Sequence, residues 1–144
     1  MNIATILATK GKKVITVEPD HKIREAVKLL VQHNIGALVV VNKEQQPVGI
    51  ISERDIVRNL ARHENLLDQP VSAIMTRHLI TGIPQDDVYT VANTMTERRI
   101  RHLPVLEQGK LIGIVSIGDI VKAQRDQLQG QVDTLQTQIL SDQD

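Results

Sequence analysis

Apolar residues recur along this chain in two rhythms, and both rhythms are written twice. Residues 20–34, DHKIREAVKLLVQHN, place Ile23, Ala26, Val27, Leu30 and Val31 on one helical face. Residues 86–99, DDVYTVANTMTERR, do likewise with Val88, Val91, Ala92 and Met95. Asp20 and Asp86 stand where an N-cap or first-turn acid belongs. Upstream of each helix a short run, KVITV at 13–17 and HLITGI at 78–83, predicts a strand followed by proline. Downstream come two apolar runs split by a polar turn, ALVVVN with PVGIIS and HLPVLE with KLIGIVS, which predict hairpins. A second helix follows each hairpin's final serine. The predicted unit is β-α-β-β-α, and the fold class is α/β (α+β) with two such units.

The duplication has a measurable register. Ser52 and Ser116 lie 64 residues apart, as do Asp55 and Asp119. Thr16 and Thr81, Pro19 and Pro84, Ile23 and Val88, and Leu38 and Leu103 lie 65 apart. The one-residue slip falls in the turns NKEQQP and EQGK, where length changes are tolerated. Residues 1–66 and 67–124 are therefore expected to form two domains. A unit of about 60 residues has a marginal core, so the copies are expected to pack sheet to sheet as a pseudo-symmetric pair. Residues 125–144 depart from the repeat and predict a C-terminal helical extension. Val121, Leu128, Val132, Leu135 and Ile139 form a thin apolar seam there, broken at Arg125. The seam suits packing on its own domain or a partner helix across a homodimer. Gly130 weakens that helix by about 1 kcal/mol relative to Ala.

Composition narrows the function. Seventeen basic and seventeen acidic side chains cancel, which disfavours nucleic acid as a partner. Tyr89 is the only aromatic residue among Phe, Trp and Tyr, so any bound base must lie between aliphatic side chains. The chain has no cysteine, which removes thiol chemistry and fits a reducing compartment. No secretory leader or membrane-spanning run is recognisable, so no membrane partner is expected and the cytoplasm is the expected location. The five histidines, His21, His33, His63, His78 and His102, show no metal-ligand spacing, and no metal site is expected. Neither a Walker loop nor a G-x-G-x-x-G motif is present, and no nucleophile constellation suggests an enzyme.

The doubled motif is Gly-x-x-Ser-x-x-Asp, in VGIISERDIV at 48–57 and IGIVSIGDIV at 112–121. Ser followed three residues later by an acid resembles a capping box, and that structural role alone explains one copy. Asp appears both times, although Glu reaches back more easily. Each motif also sits at a strand-to-helix junction, where free N–H groups favour anions. A carboxylate there suits the vicinal diol of a ribose, with phosphate facing the N–H groups and hydroxyl. Arg54 and Arg101 stand beside these elements and suit phosphate, whereas Arg98 and Arg99 read as a solvated helix face.

With IMT at 74–76 and RHLPV at 101–105, the arrangement over residues 1–124 resembles a pair of cystathionine β-synthase (CBS) domains, a Bateman module. The resemblance implies a non-catalytic module that binds adenine nucleotides as regulatory ligands (AMP, ADP, ATP, or the adenosine part of NAD or S-adenosylmethionine), requires no cofactor, and commonly forms a flat homodimer. It implies ribose on Asp55 and Asp119, with Ser52 and Ser116 near the ribose or phosphate. The adenine-side strand is implied at Gly36 and Ala37 in copy one and at Arg101, His102 and Leu103 in copy two. Segments before each first strand reach the opposite copy, sending Met75 and Thr76 towards Asp55 and Thr9 towards Asp119. Ile50 and Arg54 complete the first implied site, and Ile114 and Gly118 the second. Because Arg101 and His102 replace Gly36 and Ala37, copy two is expected to be better equipped for charge. The output would be a rearrangement of domains or dimer read by an unknown protein effector. The alternative is a constitutive interaction scaffold whose Ser-x-x-Asp motifs only cap helices.

Overall fold

The computed structural model describes residues 1–11 and 13–142. Its elements run α1 (Ile3–Lys10), β1 (Thr16–Val17), α2 (Ile23–His33), β2 (Ala37–Val41), β3 (Pro47–Ser52), α3 (Glu53–Leu60), α4 (Val88–Arg98), β4 (His102–Glu107), β5 (Lys110–Ser116) and α5 (Ile117–Asp142). The result is a mixed α+β fold of two repeats packed sheet to sheet. β1 runs parallel to β2, and β2 pairs antiparallel with β3. In the second repeat β4 and β5 form the matching hairpin, with His102 opposite Ser116.

The first strand of each repeat is shorter than the sequence predicts. Only Thr16 and Val17 join β2, and residues 78–83 contribute a single bridge, Gly82 to Val105. Gly82 donates to the Pro104 carbonyl, and Leu106 donates to Gly82. Extending this parallel ladder either way would require the N–H of Pro104 or of Pro84, and proline has none. Helix starts also shift. Asp87 rather than Asp86 caps α4, accepting from Tyr89 and Thr90 N–H, and Lys22 occupies that place before α2 without a side-chain cap. Asp86 instead accepts from the Ile83 N–H at 2.9 Å.

Two cores form, each between a hairpin and its helices. The first holds Val17, Ile23, Ala26, Leu30, Leu38, Val40, Ile51 and Ile56, and extends past residue 66 to Val71 and Met75. Val31, expected on the apolar face of α2, is 77% exposed. In the second core Ile3, Ile6 and Leu7 of α1 join Val88, Val91, Met95, Leu103, Val105, Val115 and Ile120. The N-terminal helix thus belongs, by packing, to the second repeat.

Ala37, Val39 and Val41 point away from the first core, yet they are as buried as Leu38 and Val40. The second repeat covers that face. At its edge Gly36 leaves room for His102: a Cβ there would lie 3.3 Å from the imidazole Nε2. The last helix is continuous from Ile117 to Asp142 and packs through Ile120 and Ala123. Leu128, Val132, Leu135 and Ile139 are exposed, so the seam is not used within the chain. Residues 143–144 of the predicted extension lie outside the described residues. No helix is long and apolar enough to cross a membrane among the described residues.

Gly49 sets how closely the 75–76 segment approaches β3. A Cβ at that position would lie 2.8 Å from Met75 Sδ and 3.0 Å from the Thr76 carbonyl oxygen. Replacing Gly49 by Ala is expected to cost about 1–3 kcal/mol of unfolding free energy in urea titration, because the obstacle includes backbone. A loss below about 0.5 kcal/mol would contradict this packing.

Candidate functional site

Both Ser-x-x-Asp motifs form reciprocal caps. The Ser52 hydroxyl accepts the Asp55 N–H at 3.2 Å, and Asp55 Oδ2 accepts the Ser52 N–H and hydroxyl, both at 3.0 Å. Ser116 and Asp119 repeat the exchange at 3.1 and 2.8 Å. The short aspartate therefore reaches back without difficulty, contrary to what its length suggests. In the first motif all of Asp55's protein partners are on Oδ2, and Oδ1 has none among the described residues.

Asp55 opens into a cleft of about 820 Å³ between the repeats, within the size range of about 300–1,000 Å³ usual for small-molecule sites. Ser52, Arg54, Ile50, Gly36 and Thr76 line it with Asp55. Thr76 is fixed by a reciprocal backbone pair with Ile50, at 2.8 and 3.0 Å. Ala37 and Met75 do not line the cleft; both are buried, Met75 in the first core.

The second set of predicted residues divides. Arg101, His102 and Ser116 line the first cleft with Asp55, whereas Asp119 and Thr9 line a separate groove of about 480 Å³. Leu103 is buried in the second core, and Gly118 is exposed in the first turn of α5. Ile114 is half-buried and reaches the second groove through its carbonyl, which Lys10 contacts. Arg101 and His102 thus line the first cleft and not the groove of Asp119, although His102 stays near enough to Lys10 and Asp119 to feel both charges. Arg101 occupies the place equivalent to Gly36, at the edge shared by the two repeats, so its charge serves the neighbouring cleft.

Arg58, Arg99, Glu53, Val57, Ile100 and Ile117 also line the first cleft. Arg58 was legible as the i+4 partner of Arg54 on one helix face. Arg99, read as solvated, is turned by its left-handed C-cap conformation, with φ at 55°. None of the four arginines forms an ion pair among the described residues. They face only Glu53 and Asp55, so the cleft is electropositive, with aliphatic patches from Ile50, Val57, Ile100 and Ile117.

In the second groove the Lys10 ammonium donates to Asp119 Oδ2 at 2.7 Å and to the Ile114 carbonyl at 2.8 Å. Burial pushes the Asp119 carboxyl up, but the bonds from Lys10 and Ser116 outweigh it and hold the group below its ordinary value. His102 is lowered, first by burial and then by the Lys10 charge, with Arg101 adding and Glu53 and Asp119 opposing.

A CBS domain model matches residues 7–62 and again 71–126. The chain belongs to the CBS-domain family. A mitochondrial CBS domain-containing protein of Arabidopsis thaliana, CBSX3, is 39% identical over 130 residues, covering 84% of this chain. The chain spans only 63% of that relative's length. Among solved structures, a CBS-domain protein of Agrobacterium tumefaciens superposes with a TM-score of 0.83 at 40% identity, over 86% of this chain and 99% of that one. The CBS domain pair of protein MJ0100, solved with 5′-methylthioadenosine and S-adenosyl-L-methionine, gives 0.79 at 32% identity, over 88% and 98%. A CBS domain protein of Pyrobaculum aerophilum complexed with AMP gives 0.74 at 30%, over 83% and 89%.

The lowered His102 has a consequence for stability. The unfolded imidazole protonates near its ordinary value of 6.5, whereas the folded one resists. Its contribution to stability is therefore present above about pH 6.5 and is lost as pH falls through the lower folded value. Chemical denaturation from pH 7.5 to 5 is expected to show a decline that is shallower in His102→Gln; identical slopes would contradict the assignment.

Proposed function

We propose that this CBS pair is a non-catalytic sensor of phosphorylated adenosine compounds, with AMP, ADP and ATP favoured over S-adenosylmethionine. One observation carries the reading: Asp55, whose Oδ1 has no partner among the described residues, lines one cleft with Arg54, Arg58, Arg99 and Arg101, none of them in an ion pair among the described residues. Asp55 accepts the ribose hydroxyls, and the guanidinium groups take the phosphates bidentately. The base lies between Ile50, Val57, Ile100 and Ile117, since the cleft contains no Phe, Tyr or Trp. A positive cleft disfavours the sulfonium of S-adenosylmethionine. NAD, with two phosphates, remains compatible.

Isothermal titration calorimetry tests this. Asp55→Asn keeps an oxygen to accept from the Ser52 N–H while removing the charge from the diol clasp. Its AMP affinity is expected to fall by about 2–4 kcal/mol, with little change in melting temperature. The scaffold reading has its own support in the two completed capping boxes. It requires the opposite result: no nucleotide heat, and loss of stability alone.

The output in this reading is a change in assembly sensed by a protein effector, and α5 is its reporter. Leu128, Val132, Leu135 and Ile139 form an exposed stripe that suits a second copy of the same helix. Light scattering is expected to give a dimer that Leu135→Glu weakens at least tenfold, since it places like charges in an apolar seam. A monomer at 100 µM or above would exclude this use of α5.

A further inference from the structure

The two repeats treat one backbone position differently. In the first, Ile50 exchanges two backbone hydrogen bonds with Thr76, a residue delivered by the chain entering from outside the repeat. The carboxylate of Asp55 then has no cation on it among the described residues. In the second repeat, the equivalent Ile114 carbonyl takes a side chain instead. Lys10, the last residue of α1, donates to that carbonyl at 2.8 Å and to Asp119 Oδ2 at 2.7 Å. One ammonium thus joins the carboxylate of the motif to the strand beside it. Thr9, Lys10 and Asp119 all line the same groove.

This contact is positioned by packing. Ile3, Ile6 and Leu7 anchor α1 in the second core, and Leu7 lies directly over Gly113, where a Cβ would come within 2.6 Å of its Cδ2. Anchored there, α1 ends at the groove with Lys10 in its final turn. Lys10 and Asp119 retain 37% and 25% side-chain exposure, so solvent reaches both and the pair can open. A partly exposed pair of this kind is worth about 1 kcal/mol or less, which a well-bound ligand can exceed.

We infer that Lys10 is a built-in occupant of the second site, so that each chain takes one nucleotide, in the first cleft, and a second only when Lys10 leaves Asp119. Asp119 Oδ1 has no partner among the described residues, but Lys10 already neutralises the carboxylate through Oδ2, so a ribose diol meets a weaker acceptor there than at Asp55, which carries no ion pair among the described residues. The two halves of a duplicated chain thereby acquire different duties. The first is open to ligand. The second is closed by a tether from α1, which links its opening to movement of the N-terminal helix. This inference rests on the nucleotide reading of the first cleft.

The test compares wild type, Lys10→Met and Lys10→Met/Asp119→Ala by isothermal titration calorimetry with AMP and with ATP. Methionine keeps the length and apolar stem of the lysine and removes only the ammonium. The expected stoichiometry is one site per chain in wild type, two in Lys10→Met, and one again in the double variant. Two sites in wild type, or one in Lys10→Met, overturns the occupant role while leaving the first-cleft reading intact. No heat in any of the three proteins overturns both. Carbon-13 titration of the Asp119 carboxyl gives a readout without nucleotide. Its midpoint is expected to rise in Lys10→Met, and an unchanged midpoint overturns the lock whatever the ligands do.

Discussion

The face of β2 that carries Ala37, Val39 and Val41 has no helix of its own to cover it, because α2 and α3 pack on the opposite side with Leu38 and Val40. A single repeat would leave that valine-rich surface in water, at about 1.5 kcal/mol or more for each large side chain. Pairing with the second repeat removes the surface, and most of the other features follow. It brings the N-terminal ends of α3 and α5 to a common seam, and it sets Arg101 and His102 against Gly36. The cleft is lined where two such units meet, at the rim of that packed face. Its lining is therefore shared by both repeats.

The Ser-x-x-Asp motif meets two demands with one carboxylate. A helix start has orphan N–H groups that need acceptors, and Asp55 satisfies one of them through Oδ2. The other oxygen is free to meet a ligand. Structural and binding roles are usually weighed as competitors, but here they fall on different atoms of the same side chain. Capping also holds that side chain in one rotamer, which lowers the entropy cost of using it for recognition.

Duplication started the two halves alike, and the first helix has made them unlike. Because α1 packs on the second repeat, it delivers a lysine to Asp119, while the linker delivers the backbone of Thr76 to Ile50. A backbone pair leaves the charge of the carboxylate uncompensated, whereas an ammonium neutralises it. The four arginines add to the contrast, since all of them line the first cleft. Charge is therefore concentrated where the acceptor is open.

Much of this was legible along the chain. Periodicity located α2 and α4, and the hairpins followed from paired apolar runs. The repeat register singled out Ser52, Asp55, Ser116 and Asp119 as the positions where chemistry and capping coincide. Thr76 and Thr9 were traced to opposite copies through resemblance; Thr76 lines the cleft that Asp55 lines, and Thr9 the groove that Asp119 lines. The strand at 78–83 was overread, because alternation reports side-chain faces and says nothing of the N–H groups that Pro84 and Pro104 lack. Lys10 and Arg99 were missed for a related reason. A charged residue at a helix end looks solvated until the body it packs against is known. Sequence by itself determined what is local or repeated: elements, turns, caps and the two acidic motifs, all set by spacing within a few turns of chain. Only the tertiary structure decided which charged side chains meet each aspartate, because those partners come from up to about 110 residues away, through burial of α1 and of the inner face of β2.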